Sequence, residues 1–214
     1  MKTAKKAMLM TLCAIILVVA TVFGTMAYLT STDKVVNTFT VGNVAIKLDE
    51  APVDENGKAT AGDRVKANSY KLLPGHTYDK DPTVTLLKGS ETSYVKMTVT
   101  FSMADELDAI FAANGGADLT SIFKGYDAAN WTAKGNTKDA TANTRTYEFW
   151  YKEAVGAPTD DVALDALFDS ITVPGTITKE QLASIEGMTI TVNAYAIQAD
   201  GFANADAAWT AFSA

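Results

Sequence analysis

Few residues of this chain have the types and spacing that chemistry requires, and those few set the first question. His76 is the single histidine and sits beside Pro74 and Gly75. One imidazole without identifiable partners reads as a polar loop residue rather than a catalytic base or metal ligand. Aspartates recur at Asp54, Asp63, Asp79 and Asp81, and again at Asp160 and Asp161. They read as solvated loop charge, and although calcium favours such oxygen donors, the regular ligand spacing of a calcium loop is missing. Tyr147, Phe149, Trp150 and Tyr151 form an aromatic cluster. Aromatic faces suit apolar sugar surfaces, but alternation in a strand more often places one face on a core and the other in cross-strand pairs. The sequence has no HExxH, no GxSxG and no phosphate-binding loop, since "GSETS" is too short for one. The expectation is a chain that is not an enzyme and carries neither cofactor nor catalytic residues.

Composition narrows the classes further. The chain has 214 residues and is 48% apolar, enough for one domain with a buried core. Lys2, Lys5 and Lys6 precede an uninterrupted apolar run from Ala7 to Gly24, and the small residues Thr25 and Ala27 flank Met26. That three-part pattern predicts a secretory signal peptide over residues 1–27, cleaved between Ala27 and Tyr28. By length alone the apolar run would also just span a bilayer as an anchor. No cluster of positive charge follows it.

Cys13, the only cysteine, lies inside the apolar run, and Leu12 before it is too large for a lipoprotein signal. A mature chain would therefore hold its fold without disulfides or cysteine-bound metal. Without the three leading lysines, the 18 basic residues fall to 15 against 25 acidic ones, a net charge of −10. Such a surface repels nucleic acid and anionic lipid, so neither is an expected partner beyond membrane contact through the uncleaved signal.

The elements that would carry any function are mostly strands. In "SYVKMTVTFSM", Val95, Met97, Val99, Phe101 and Met103 share one face, with Tyr94, Lys96, Thr98, Thr100 and Ser102 facing water. Upstream, Phe39 and Val41 are out of phase with Val44, Ile46 and Leu48, which predicts a bulge or bend at Gly42 and Asn43. Residues 51–67 read as an exposed loop, Pro74 and Gly75 as a turn, and the segment around Val84 and Leu86 as a strand joined by "KGSETS" into a hairpin with the next. Ser102 and Asp105 have capping-box spacing before a helix with Leu107, Ile110 and Phe111 on its stripe, ended by Asn114, Gly115 and Gly116.

A loop-like stretch holds Trp131, "TRTYEFWYKEAV" reads as a strand, and 160–170 as a helix through Leu164, Leu167 and Phe168. Thr178 and Gln181 cap a short helix that ends at Gly187, "MTITVNAYAIQA" is a strand, and Asn204 caps a terminal helix bearing Trp209 and Phe212. Strands organise the chain, so the predicted fold is mainly β, an antiparallel sandwich of jelly-roll type with short peripheral helices, spanning residues 28–214 after the signal helix.

Four segments in order carry a family likeness: "AYLTSTDKVVNTFTVGNVAIKLDE", "KLLPGHTYDKDPTV", "KGSETSYVKMTVTF" and "NAYAIQADGF". Together they resemble the TasA/camelysin family of exported Gram-positive proteins, from Ala27 to Phe202, with the middle of the chain the least family-specific. The resemblance implies a jelly-roll sandwich processed by a signal peptidase of the SipW type, and a biofilm-matrix fibre subunit that assembles with itself or related subunits at the cell surface or in the extracellular matrix. It further implies that the new N-terminal segment, residues 28–39, adds as a donor strand to a neighbouring subunit, with Tyr28, Leu29, Val35 and Phe39 as apolar plugs. The rival reading makes Val35 to Val41 the first strand of the chain's own sandwich. Two other functions compete: a monomeric surface module that binds carbohydrate through Trp131 or Trp150, and a camelysin-like metalloprotease, for which no zinc motif is present.

Overall fold

The computed structural model describes Lys6 and residues 42–113 and 123–212. The chain divides between Val41 and Gly42 into two units, and every element named below belongs to the second. The predicted signal residues Thr25, Ala27 and Tyr28 and the donor residues Tyr28, Leu29, Val35 and Phe39 lie outside the described residues, as do Asn114, Gly115 and Gly116.

Period-2 alternation governs the largest sheet. The strand β4 (Ser93–Ser102) buries Val95, Met97, Val99 and Phe101 completely on one face. It pairs antiparallel with β7 (Thr144–Tyr151) on one side and β10 (Ile190–Gln198) on the other, and β7 pairs with β6 (Trp131–Asp139), giving the order β10-β4-β7-β6. Two smaller antiparallel sheets complete the β structure of the described residues. One has the order β1-β3-β8, from Ile46–Asp49, Thr83–Leu86 and Val162–Ala163. The other has the order β2-β9-β5, from Thr77–Asp79, Ser170–Thr172 and Phe123–Lys124. Val84, Tyr78, Phe123 and Ile171 from these sheets join the inward residues of β4 and β7 in one core. Burying aromatic and branched side chains from three sheets in a single cluster is the main stabilising term, since each fully buried large side chain contributes about 1.5–3 kcal/mol.

Among the described residues three helices border the sheets. The first, α1 (Ala104–Ala113), buries Leu107, Ile110 and Phe111 as its stripe predicts. Its cap differs from the expected one: Met103 turns the chain at φ 56°, Asn143 Oδ1 accepts from the Asp105 amide at 2.8 Å, and Ser102 Oγ accepts instead from the Thr189 amide. The second helix, α2 (Lys179–Ser184), has the predicted capping box between Thr178 and Gln181. The third, α3 (Ala205–Phe212), starts at Asn204, whose Oδ1 accepts from the Ala207 amide at 2.9 Å.

Other expectations are corrected. The segments around "KGSETS" are no hairpin, because β3 pairs with β1 and β8 while β4 pairs in another sheet. Residues 160–170 contain no helix; Leu164, Leu167 and Phe168 are buried from an irregular segment, where apolar spacing alone cannot separate helix from extended chain. Trp131 opens a strand and is buried, its Nε1 donating to the Asp165 carbonyl at 3.0 Å. Lys96, placed on the water face by alternation, is buried beneath α3.

Candidate functional site

A cavity of about 1050 Å³ opens between the edges of two sheets. Its walls are β1 on one side and the start of β10 on the other; its rim is the segment from Val65 to Leu72, and Met188 and Leu182 close the end near α2. Among the described residues, β1 pairs only with β3 and β10 only with β4, so each of these two walls has one edge without a strand partner. Ile46, Leu48, Leu72, Ile190 and Val192 make the floor largely apolar. A cavity of this size is at the upper end of the ~300–1,000 Å³ typical of small-molecule pockets.

The rim is held by ion pairs that the sequence disguised as loop charge. Arg64 is the hub: its Nη1 donates to Asp81 Oδ2 at 2.8 Å, its Nη2 to the Asp81 carbonyl at 2.9 Å and to Thr83 Oγ1 at 3.0 Å, and its Nε to Asp49. Asp49 is buried at the end of β1, where Lys47 also reaches it at 2.6 Å. Burial alone would push the Asp49 carboxyl up, yet the hydrogen bonds from Lys47 and Arg64 outweigh it and hold the carboxyl below its ordinary range. Burial likewise disfavours the Arg64 cation, and its bonds to Asp81 and Asp49 more than compensate, so it holds its proton more tightly than usual.

Deeper in the cleft, Lys80 Nζ meets Glu50 Oε2 at 2.6 Å with both side chains almost fully buried. Tyr70 donates to the Asp79 carbonyl at 3.1 Å, and burial, together with the nearby Glu50 charge, raises its hydroxyl well above the usual tyrosine range. Asp79 accepts from the Ala59 amide at 2.9 Å and from Lys58 at 3.1 Å; these bonds lower its carboxyl against the upward push of burial. Residues 51–67 therefore form a folded strap. Antiparallel bridges Glu50↔Val65 and Val53↔Ala59 pin its course, and Gly57 at φ 72° packs where any Cβ would overlap the Tyr78 ring.

The residues singled out in the sequence do not converge. Asp79 and Asp81 lie outside the strap and anchor it, by accepting from Lys58, the Ala59 amide, the Ala51 amide and Arg64; Asp54 caps a turn by accepting from the Asn56 and Lys58 amides, and Asp161 accepts from the Lys88 amide. Among the described residues no group of three or more His, Cys, Asp or Glu is placed to hold a metal ion. His76 lies 5.0 Å from the Tyr78 ring as a half-buried neighbour. Tyr147 and Phe149 are core, as alternation implied. Trp150 faces the opposite way, with Lys134 Nζ 3.9 Å above its ring and Trp209 beside it at 6.1 Å, so α3 and Lys134 occupy the face a sugar would need.

Arg64, Glu50 and Lys80 were missed because single charges in a polar loop carry no period. The only signal was the density of opposite charges in "AGDRVKA" and "DKD". No family model matches this chain, and neither the curated proteins nor the solved structures searched contain a match.

Proposed function

We propose that this chain is a secreted structural protein, a sandwich of jelly-roll type that assembles with copies of itself by strand addition after removal of the signal peptide. The observation that carries the reading is the cleft between β1 and β10, two strands that among the described residues each have one unpaired edge, with an apolar floor between them. An extended segment entering it would satisfy exposed amides and carbonyls while alternate side chains fill the floor, which is how strand addition obtains both affinity and specificity.

The segment Tyr28 to Phe39 supplies such a strand in this reading, with Tyr28, Leu29, Val35 and Phe39 as plugs. Membrane tethering before cleavage at Ala27 withholds it until export is complete. Extracellular matrix or cell surface is the expected location, and a SipW-type peptidase the expected processing partner. The disposition of acids, bases and aromatics supports a structural rather than a catalytic role, because the polar groups around the cleft are engaged with one another. Deleting Tyr28 to Lys34 tests the reading: the shortened protein is expected to remain folded and monomeric, and normal fibres from it would overturn strand donation.

A further inference from the structure

Strand addition needs an open edge, and among the described residues the four-stranded sheet has two, β10 and β6. They are built differently. β10 reads ITVNAYAIQ, without charge, proline or glycine, and keeps an unbroken register against β4 from Ile190↔Phe101 to Gln198↔Ser93. A long, uncharged edge without a bulge is a template for pairing.

β6 reads WTAKGNTKD and its register against β7 shifts between Ala133 and Gly135, which leaves Lys134 as an extra residue opposite no partner. Gly135 takes φ 120°, a conformation that suits glycine, to accommodate this bulge. Lys134 Nζ lies over Trp150 and 3.4 Å from Asp206 of α3, while Lys138 Nζ is held by Asp105 and Asp108 of α1. The bulge breaks the even spacing of amides and carbonyls that an added strand would read. The two lysines place charges that the added strand would have to desolvate, and the helices keep them at the edge. Bulges and edge lysines are both known to block edge-to-edge pairing.

We propose that β6 is a guarded edge, so that the four-stranded sheet accepts a single strand, at the β10 side, from a second copy of this chain. The proposal rests on the assembly reading above. The occupant is the segment Tyr28–Phe39, which ends three residues before Gly42. At ~3.3 Å per residue the nine residues of β10 span about 30 Å, within that segment's extended reach. One guarded and one open edge give a linear, unbranched, polar assembly instead of a lateral sheet.

The test uses the cysteine-free mature chain, starting at Tyr28, with single cysteines in separate copies. Asn37→Cys in one copy is mixed with Asn193→Cys in β10 or Thr137→Cys in β6 of another, then mildly oxidised and run without reductant. The expected result is at least tenfold more heterodimer with position 193 than with position 137, and the appearance of the 137 crosslink when the guard is removed by deleting Lys134 and changing Gly135→Val. Lys134→Thr alone, which leaves the backbone length intact, should give an intermediate yield.

Equal crosslinking at 137 and 193 in fibres overturns the guarded edge while leaving assembly standing. Fast-migrating monomer from an Asn37→Cys, Asn193→Cys double variant overturns the second-copy occupant. Absence of both crosslinks together with absence of fibres by microscopy removes the assembly reading and this proposal with it.

Discussion

Replacing Arg64 with methionine isolates the clamp that shapes the cleft rim. The change keeps an apolar stem of similar length and removes the donors to Asp49, Asp81 and Thr83. Asp49 then stays buried with only Lys47, whose side chain is 52% exposed and well solvated. Breaking a fully buried ion pair costs about 3–5 kcal/mol. Because the Arg64 side chain is 33% exposed, solvent screening reduces this to about 2–4 kcal/mol. For a domain of this size that is a fall of roughly 4–16 °C in the unfolding midpoint.

The pH dependence supplies a second, independent readout. The folded Asp49 carboxyl is held below its ordinary value, so its contribution is fully present above the unfolded pKa of about 3.9 and is lost as pH falls through the lower folded value. The gap between wild type and Arg64→Met, measured by calorimetry or urea unfolding, should be full near pH 7 and shrink steadily below about pH 4. A gap under about 1 kcal/mol at pH 7, or one of constant size down to pH 2.5, would refute the claim that Arg64 acts by compensating a buried carboxylate.

Other perturbations follow from the packing of the core and its turns. Phe101→Ala removes a fully buried ring packed on Phe123 and Tyr147 and should cost about 3–5 kcal/mol in urea unfolding. Gly125→Ala and Gly89→Ala both force alanine to positive φ, at about 1–2 kcal/mol each, but only at 125 would the new Cβ overlap Asp169. The Gly125 variant should therefore be the less stable of the two by a further ~1 kcal/mol or more; equal stabilities would contradict the packing described there. Trp209→Ala should lose about 3–5 kcal/mol and uncover Lys96, read as faster reaction of that lysine with an amine-directed label, because the ring lies 4.7 Å from Lys96 Nζ.

Much of the strand structure was legible because buried strands advertise themselves by period. Val95, Met97, Val99 and Phe101 alternate with polar residues and become the centre of the core, and the capping box at Thr178 and Gln181 is local chemistry that the helix start requires. Pairing was not legible, since partners such as Ile190 and Phe101 lie far apart in sequence and the "KGSETS" turn joins two sheets instead of two paired strands. Leu164, Leu167 and Phe168 had helical spacing, but their burial is set by what packs on them. The water face of β4 read correctly for Thr98 and Thr100, whereas Lys96 is covered by a helix more than a hundred residues later in the chain. The cleft could not be read at all, because a free edge is defined by the strands that do not pair with it. Its wall residues, Ile46, Leu48, Ile190 and Val192, looked like ordinary strand interior.

The most direct test of the assembly account compares two forms of the mature protein by electron microscopy, one beginning at Tyr28 and one carrying a blocking extension before Tyr28. Fibres from the free-ended form alone are the predicted result. Monomers from both forms, or fibres of equal abundance from both, would contradict it.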